Sequence, residues 1–202
     1  MFTRLCIIVL AMSLPITAPA EPEKKPLATA IFAGGCFWCM QPPFDALPGV
    51  VKTVPGYTGG QMENPSYEQV SAGGTGHVES IQITYDPATV SYEKLLDVYW
   101  HNIDPTDASG QFCDKGDPYR PIIFYLDEGQ KRWAEQSKTV WQQNKPFQGD
   151  IKTDIIAAST FYPAEDYHQN YYLKNPLAYK FYRFNCGRDK RLKALWGGSA
   201  GH

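Results

Sequence analysis

The feature that most constrains this chain is Gly34-Gly35-Cys36-Phe37-Trp38-Cys39, which follows the apolar run Leu27 to Ala33. The run reads as a strand and the paired glycines as a turn at its end. A cysteine leaving a strand on such a turn is expected to be exposed and mobile, with Phe37 and Trp38 as an apolar wall beside it. A thiol on an aromatic platform suits chemistry on a small, partly apolar, sulfur- or carbon-centred group. The plain alternative is that Cys36 is a buried small hydrophobe, as most free cysteines are.

The 202 residues suggest one domain with an extension. Residues 1–20 read as a signal peptide: Arg4 is the charged region, Leu5 to Leu14 the apolar region, and Ala18-Pro19-Ala20 the cleavage site. The apolar region is too short to span a bilayer. Export to the periplasm or outside the cell follows as the expected location. Residues 21–26 are charged, proline-containing and expected to be a disordered lead-in. Residues 27–196 are expected to form a single domain, and 197–202 a flexible tail. Loss of Arg4 with the leader takes the net charge from -2 to -3, with both signs mixed along the chain. No basic stripe points to nucleic acid, and no second apolar run is long enough for a membrane span.

Cys6 leaves with the leader, so four cysteines remain: Cys36, Cys39, Cys113 and Cys186. Four allow three full pairings, and sequence does not choose among them. Export favours oxidation. A chain of this size does not need bridges to hold its core, so the cysteines read as redox-active rather than structural.

Strands are expected over Leu27 to Ala33, Val50 to Tyr57, His77 to Tyr85, Pro121 to Leu126 and Thr153 to Ser159. Helices are expected from Phe37 to Leu47, where Pro42 and Pro43 disturb the interior, from Tyr67 to Ser71, from a Ser91 cap to Asn102, from Asp127 to Asn144, and from Arg188 to Trp196. Ile103 to Tyr119 reads as a long polar loop, and Phe161 to Tyr182 as a tyrosine-rich segment with short helices. Strands alternating with helices give an α/β or α+β domain.

In His77-Val78-Glu79-Ser80-Ile81-Gln82-Ile83, residues 79, 81 and 83 share one face of a strand. That puts the Glu79 carboxyl among apolar residues, where carboxyls stay protonated. A protonated carboxyl near a thiol can act as a general acid. The alternative is a Glu that reaches solvent at the strand end. Cys36 and Cys39 also spell C-x-x-C, which suits a thioredoxin-like oxidoreductase or half of a zinc site. No second C-x-x-C exists to complete the zinc site, and none is expected. A third class is a secreted binding domain with structural disulfides. A Cys36–His168 hydrolase pair is conceivable, but His168 reads better as a hydrogen-bonded structural residue. The tyrosines from 162 to 182 read mostly as core or groove wall.

Gly35-Cys36-Phe37-Trp38 resembles the signature of the A-type peptide methionine sulfoxide reductases, which act on the S epimer. Pro48-Gly49-Val50, Gly56 to Gly60, Asn64 to Tyr67, Gly76 to Glu79, Tyr85-Asp86-Pro87, Asp114 to Arg120, Phe161-Tyr162, Ala164 to Gln169 and Lys174-Asn175-Pro176 follow in the family's order. The resemblance spans residues 27 to 196. It implies a two-layer, ferredoxin-like α/β sandwich with long loop excursions. It implies Cys36 as nucleophile, Phe37 and Trp38 around the substrate methyl, Glu79 as proton donor, Tyr67 and Tyr119 on the sulfoxide oxygen, and Asp114 orienting the substrate. No bound cofactor is implied: Cys36 becomes a sulfenic acid, a second thiol closes a disulfide, and an external dithiol such as a thioredoxin-like protein restores the enzyme. The substrate is free methionine sulfoxide or an oxidised protein. Gln41 stands where many members carry glutamate, and Cys39 is not found in all of them. Cys186, at a joint beside Gly187, is expected to be the resolving thiol through a Cys36–Cys186 bridge, with Cys39 and Cys113 as alternatives.

Overall fold

The computed structural model describes residues 26–201. The expected leader and nearly all of the lead-in lie outside the described residues.

Six strands form one sheet. They are β1 (Ala28–Ala33), β2 (Val50–Thr58), β3 (Val78–Tyr85), β6 (Ile122–Tyr125), β7 (Asp154–Ala157) and β8 (Tyr162–Pro163), in the order β7-β6-β1-β3-β2-β8. All neighbours are antiparallel except β6 and β7. Two further short strands, β4 (Gly110–Gln111) and β5 (Asp114–Lys115), make a hairpin inside the segment expected to be loop. Its turn needs Gly110 at φ 144 and Phe112 at φ 54, a geometry that no hydrophobic period announces.

The alternation along β1 and β3 sorts the two faces. Ala30, Phe32, Ile81, Ile83 and Tyr85 join the main core, while Ile31, Ala33 and Val78 pack with Ile122 and Phe124 on the other face. Glu79 follows the main-core register, opposite Tyr57 of β2. The helices α1 (Phe37–Asp45), α3 (Tyr92–His101), α4 (Glu128–Asn144) and α7 (Arg188–Trp196) supply the rest of that core, with α2 (Tyr67–Ser71), α5 (Tyr171–Lys174) and α6 (Pro176–Asn185) toward the periphery. Ser91 caps α3 by accepting from the Lys94 amide (3.3 Å), and Asp127 caps α4 by accepting from Gln130 (2.8 Å). The Tyr99 hydroxyl donates to the Ala33 carbonyl (2.9 Å), fixing α3 against the end of β1 where the Gly-Gly turn begins.

Pro42 and Pro43 are accommodated inside α1. Pro43 cannot donate to the Cys39 carbonyl four residues back. Arg183 of α6 fills that vacancy, its Nη1 donating to Cys39 O at 3.4 Å. The C-terminal segment differs from the loose tail expected. Trp196 donates to the Ile103 carbonyl (3.1 Å), Gly197–Ser199 form a 3-10 turn, Ala200 packs on the core, and the Gly201 amide reaches the His101 carbonyl (3.1 Å). A large indole that must be buried carries its neighbours in with it.

Candidate active site

Cys36 sits where β1 hands over to α1. Gly35 holds the turn at φ 78, and a Cβ there would lie 2.5 Å from Gln111 Cβ. The turn is covered by the β4–β5 hairpin, and Cys36 is only 6% exposed. The expectation of an exposed, mobile thiol is corrected: the glycines allow close packing rather than freedom.

A cavity of about 80 Å³ opens at this point, lined by Cys36, Phe37, Trp38, Tyr67, Glu79, Asp114, Tyr119 and Tyr182. Seven of these eight are readable from sequence or resemblance; Tyr182 of α6 reads there only as core or groove wall. A groove of about 470 Å³ between α4 and β7 is lined by no thiol.

Glu79 is buried and accepts a hydrogen bond from the Phe37 amide at 3.0 Å. The acid therefore caps the first turn of the helix that begins next to the thiol. Burial pushes the Glu79 pKa up to about 8; the Phe37 N–H opposes the rise, and Asp114 and Cys39 add to it. Glu79 accordingly holds a proton at neutral pH. Burial also raises Cys36, reinforced by Cys39, Glu79 and Asp114, so the resting thiol is protonated. Burial lifts Tyr67 to about 12 and raises Tyr119 and Tyr182, which keeps three phenolic protons available for donation. The Tyr182 hydroxyl donates to Asp114 Oδ2 at 2.6 Å.

The apolar wall is braced from behind. Trp38 stacks on Tyr171 with centroids 3.8 Å apart, and its Nε1 donates to His168 Nδ1 at 3.0 Å. Burial lowers the His168 pKa, so its ring is neutral with the proton on Nε2, 3.9 Å from Glu165. Glu165 in turn accepts from the Tyr57 hydroxyl and the Tyr67 amide, each at 2.8 Å. His168 thus supports Phe37, Trp38 and Tyr67 and does not line the cavity.

A sequence profile described as "Peptide methionine sulfoxide reductase" matches residues 28–200. The chain belongs to the peptide methionine sulfoxide reductase family. The reductase MsrA of Listeria monocytogenes serotype 4a (strain HCC23) is 54% identical over 175 residues, covering 87% of this chain and 99% of that one. MsrA of Bacillus subtilis (strain 168) is 53% identical over 175 residues, covering 87% and 98%. Among solved structures, Mxr1 from Saccharomyces cerevisiae in reduced form superposes with TM-score 0.71 at 30% identity, covering 78% of this chain and 89% of that one. Methionine sulfoxide reductase A of Corynebacterium diphtheriae gives 0.67 at 31%, covering 75% and 76%. The protein is an α/β enzyme that reduces methionine sulfoxide in a thiol-dependent reaction.

The reductase's four cysteines among the described residues fall into two pairs. Cys186 is not free to meet Cys36: it is disulfide-bonded to Cys113, with Cα atoms 4.9 Å apart. The hairpin turn carries Cys113 to the α6–α7 joint, a meeting of segments 73 residues apart that local sequence does not reveal. Cys36 and Cys39 are the free, buried thiols among the described residues. Cys39 lies in the first turn of α1, and its backbone amide donates to the Cys36 carbonyl at 3.0 Å. The neighbouring Cys36 thiol lowers the Cys39 pKa to about 7; burial opposes the change, and Arg188 and Arg183 add to it.

Gln41 does not line the cavity. Its amide donates to Thr53 and Asn170 (2.9 Å each), tying α1 to β2 and to the start of α5. Cys113, Asp114 and Cys186 bring their donor atoms within 4.8 Å of one another, but the two sulfurs are spent on the disulfide.

Proposed function

We propose that the reductase acts on the S epimer of methionine sulfoxide through Cys36, with Glu79 as the acid and Cys39 as the resolving thiol. The observation that carries this reading is the pairing of a protonated, buried Glu79 with the helix turn that begins beside Cys36. Cys36 attacks the sulfoxide sulfur while Glu79 protonates the departing oxygen and recovers a proton from the Cys36 thiol. The bond between the two sulfurs then breaks as the oxygen bonds to the Cys36 sulfur, which leaves a sulfenic acid on Cys36 and releases methionine reduced. Tyr67 and Tyr119 donate to the oxygen, Asp114 held by Tyr182 orients the substrate, and Phe37 and Trp38 hold its methyl group.

Cys39 is favoured over Cys186 as the resolving thiol by position: it is a free thiol one helical turn from Cys36, whereas Cys186 is bonded elsewhere. An external dithiol protein of thioredoxin type then reduces the Cys36–Cys39 bridge by exchange. Mxr1 of Saccharomyces cerevisiae has a solved complex with Trx2, which supports a partner of that kind. Residues 1–20 carry the pattern of an export signal, which supports work on oxidised methionine outside the cytoplasm. The test is single turnover with separated epimers followed by peptide mapping. Consumption of the S epimer with a Cys36–Cys39 bridge is expected; consumption of both epimers, or a different bridge, overturns the reading.

A further inference from the structure

Arg188, the first residue of α7, is 1% exposed. Its Nη2 donates to the carbonyls of Gly34 (3.1 Å) and Asn102 (2.7 Å) and touches Met40 Sδ (2.9 Å). The Phe112 ring lies 4.5 Å from Cζ. Its Nε has no partner, and no carboxylate lies within 4.0 Å of it among the described residues. A guanidinium does not deprotonate in proteins, and a buried charge is costly unless an opposite charge offsets it. Neutral carbonyls solvate this cation but do not balance it. The neighbouring cation Arg183 differs, because Asp189 answers it at 2.6 Å.

The groups facing this place are Cys36 before α1, Cys39 in α1, Glu79 of β3, Asp114 of β5, Tyr179 and Arg183 of α6, and Arg188 itself. Glu79 is protonated and Asp114 is held by Tyr182. Asp114 also interacts with the guanidinium, from beyond 4.0 Å, but the dithiol pair is the nearer acid in effect, with Cys39 its strongest electrostatic neighbour.

We propose that Arg188 is a positioning residue of the recycling step, the buried counter-charge for a thiolate on Cys39. This rests on the reading that Cys39 resolves. The Cys39 thiolate attacks the sulfur of oxidised Cys36; the S–S bond forms and the S–O bond breaks. Hydroxide leaves, and the proton that Cys39 released completes a water molecule. No oxidant or reductant beyond the sulfenic acid and the thiol is consumed. The Met40 and Gly34 contacts place the cation behind the turn, and it does not line the substrate cavity.

The test is a titration of Cys39 by carbon-13 NMR of its Cβ in the full chain carrying Cys36→Ser, compared with the same chain carrying Arg188→Gln or Arg188→Lys. Arg188→Gln is expected to raise the Cys39 midpoint by about one pH unit or more, and Arg188→Lys to restore it. Coincident midpoints in all three, with unchanged circular dichroism, overturn the proposal. Should Arg188→Gln fail to fold, the Cys36→Ser chain decides: a Cys39 midpoint below the ordinary thiol value of about 8.5 supports the proposal, and one at or above it overturns it. Peptide mapping of the native enzyme after one turnover separates the two readings. A bridge other than Cys36–Cys39 removes the resolving role and leaves the titration result standing.

Discussion

The Phe37 amide donates to the Glu79 carboxyl at 3.0 Å, so the residue next to the nucleophile is tied directly to the acid. Nucleophile and acid come from the N-cap of α1 and from β3, 43 positions apart in sequence, yet one hydrogen bond between Phe37 and Glu79 sets their spacing. The bond also steadies the first turn of a helix whose N-cap residue, Cys36, offers no side-chain cap.

Glu79→Gln keeps that acceptor and loses the proton donor. The rate of methionine release in a single turnover should fall by roughly 10²-fold or more. In the native enzyme the same rate should decline as pH rises through about 8, where Glu79 loses its proton. An unchanged rate in the variant removes Glu79 from the mechanism.

The same carboxyl makes a stability prediction. Its pKa rises from 4.5 to about 8 on folding, so folding favours the protonated form. Native stability is highest in this respect below about pH 4.5 and is lost as pH rises toward 8. Glu79→Gln should therefore be more stable than the native chain at neutral to alkaline pH, by on the order of 3 kcal/mol at pH 7, and not at pH 4. Urea unfolding at the two pH values measures this; equal differences at both contradict the buried, neutral Glu79.

Cys113 and Cys186 close a loop of 73 residues, a constraint on the unfolded chain worth about 4 kcal/mol in the entropic picture. Cys113→Ser/Cys186→Ser should lose stability on that scale in denaturant. It should nevertheless complete repeated turnovers with a dithiol reductant, because Cys36 and Cys39 remain. Arrest after one turnover would return the resolving role to Cys186.

Gly35→Ala places a Cβ 2.5 Å from Gln111 Cβ at a φ of 78. Both strain and clash act on the turn that presents Cys36, and a left-handed non-glycine residue alone costs about 1–2 kcal/mol. A larger loss of activity than of folded protein, read by assay against circular dichroism, is expected. Full activity would mean that the turn does not position the thiol.

Much of this site was legible because it is local or periodic. Cys36, Phe37 and Trp38 lie in one hexapeptide, and strand alternation alone put Glu79 on the core face. The burial of Cys36 was not legible, because the cover over Gly35 comes from Gln111 in a hairpin of two-residue strands. Tyr182 and Arg188 escaped for a related reason. Each reaches the site from more than 140 residues away, and their helices' apolar residues do not announce a catalytic face. The pairing of Cys113 with Cys186 depends on where that hairpin meets the α6–α7 joint. The anchored C-terminus follows from Trp196, whose burial overrides the local signal of Gly197 and Gly198.

The central claim is that Cys36 takes the sulfoxide oxygen and that Cys39 alone removes it. The direct measurement uses Cys39→Ser, one equivalent of methionine S-sulfoxide, no reductant, and a sulfenic-acid trap read by peptide mass spectrometry. About one methionine per chain is predicted, with the trapping adduct on Cys36 and the Cys113–Cys186 disulfide intact. A Cys36–Cys186 bridge in place of the adduct, or methionine release with Cys36 unmodified, would contradict it.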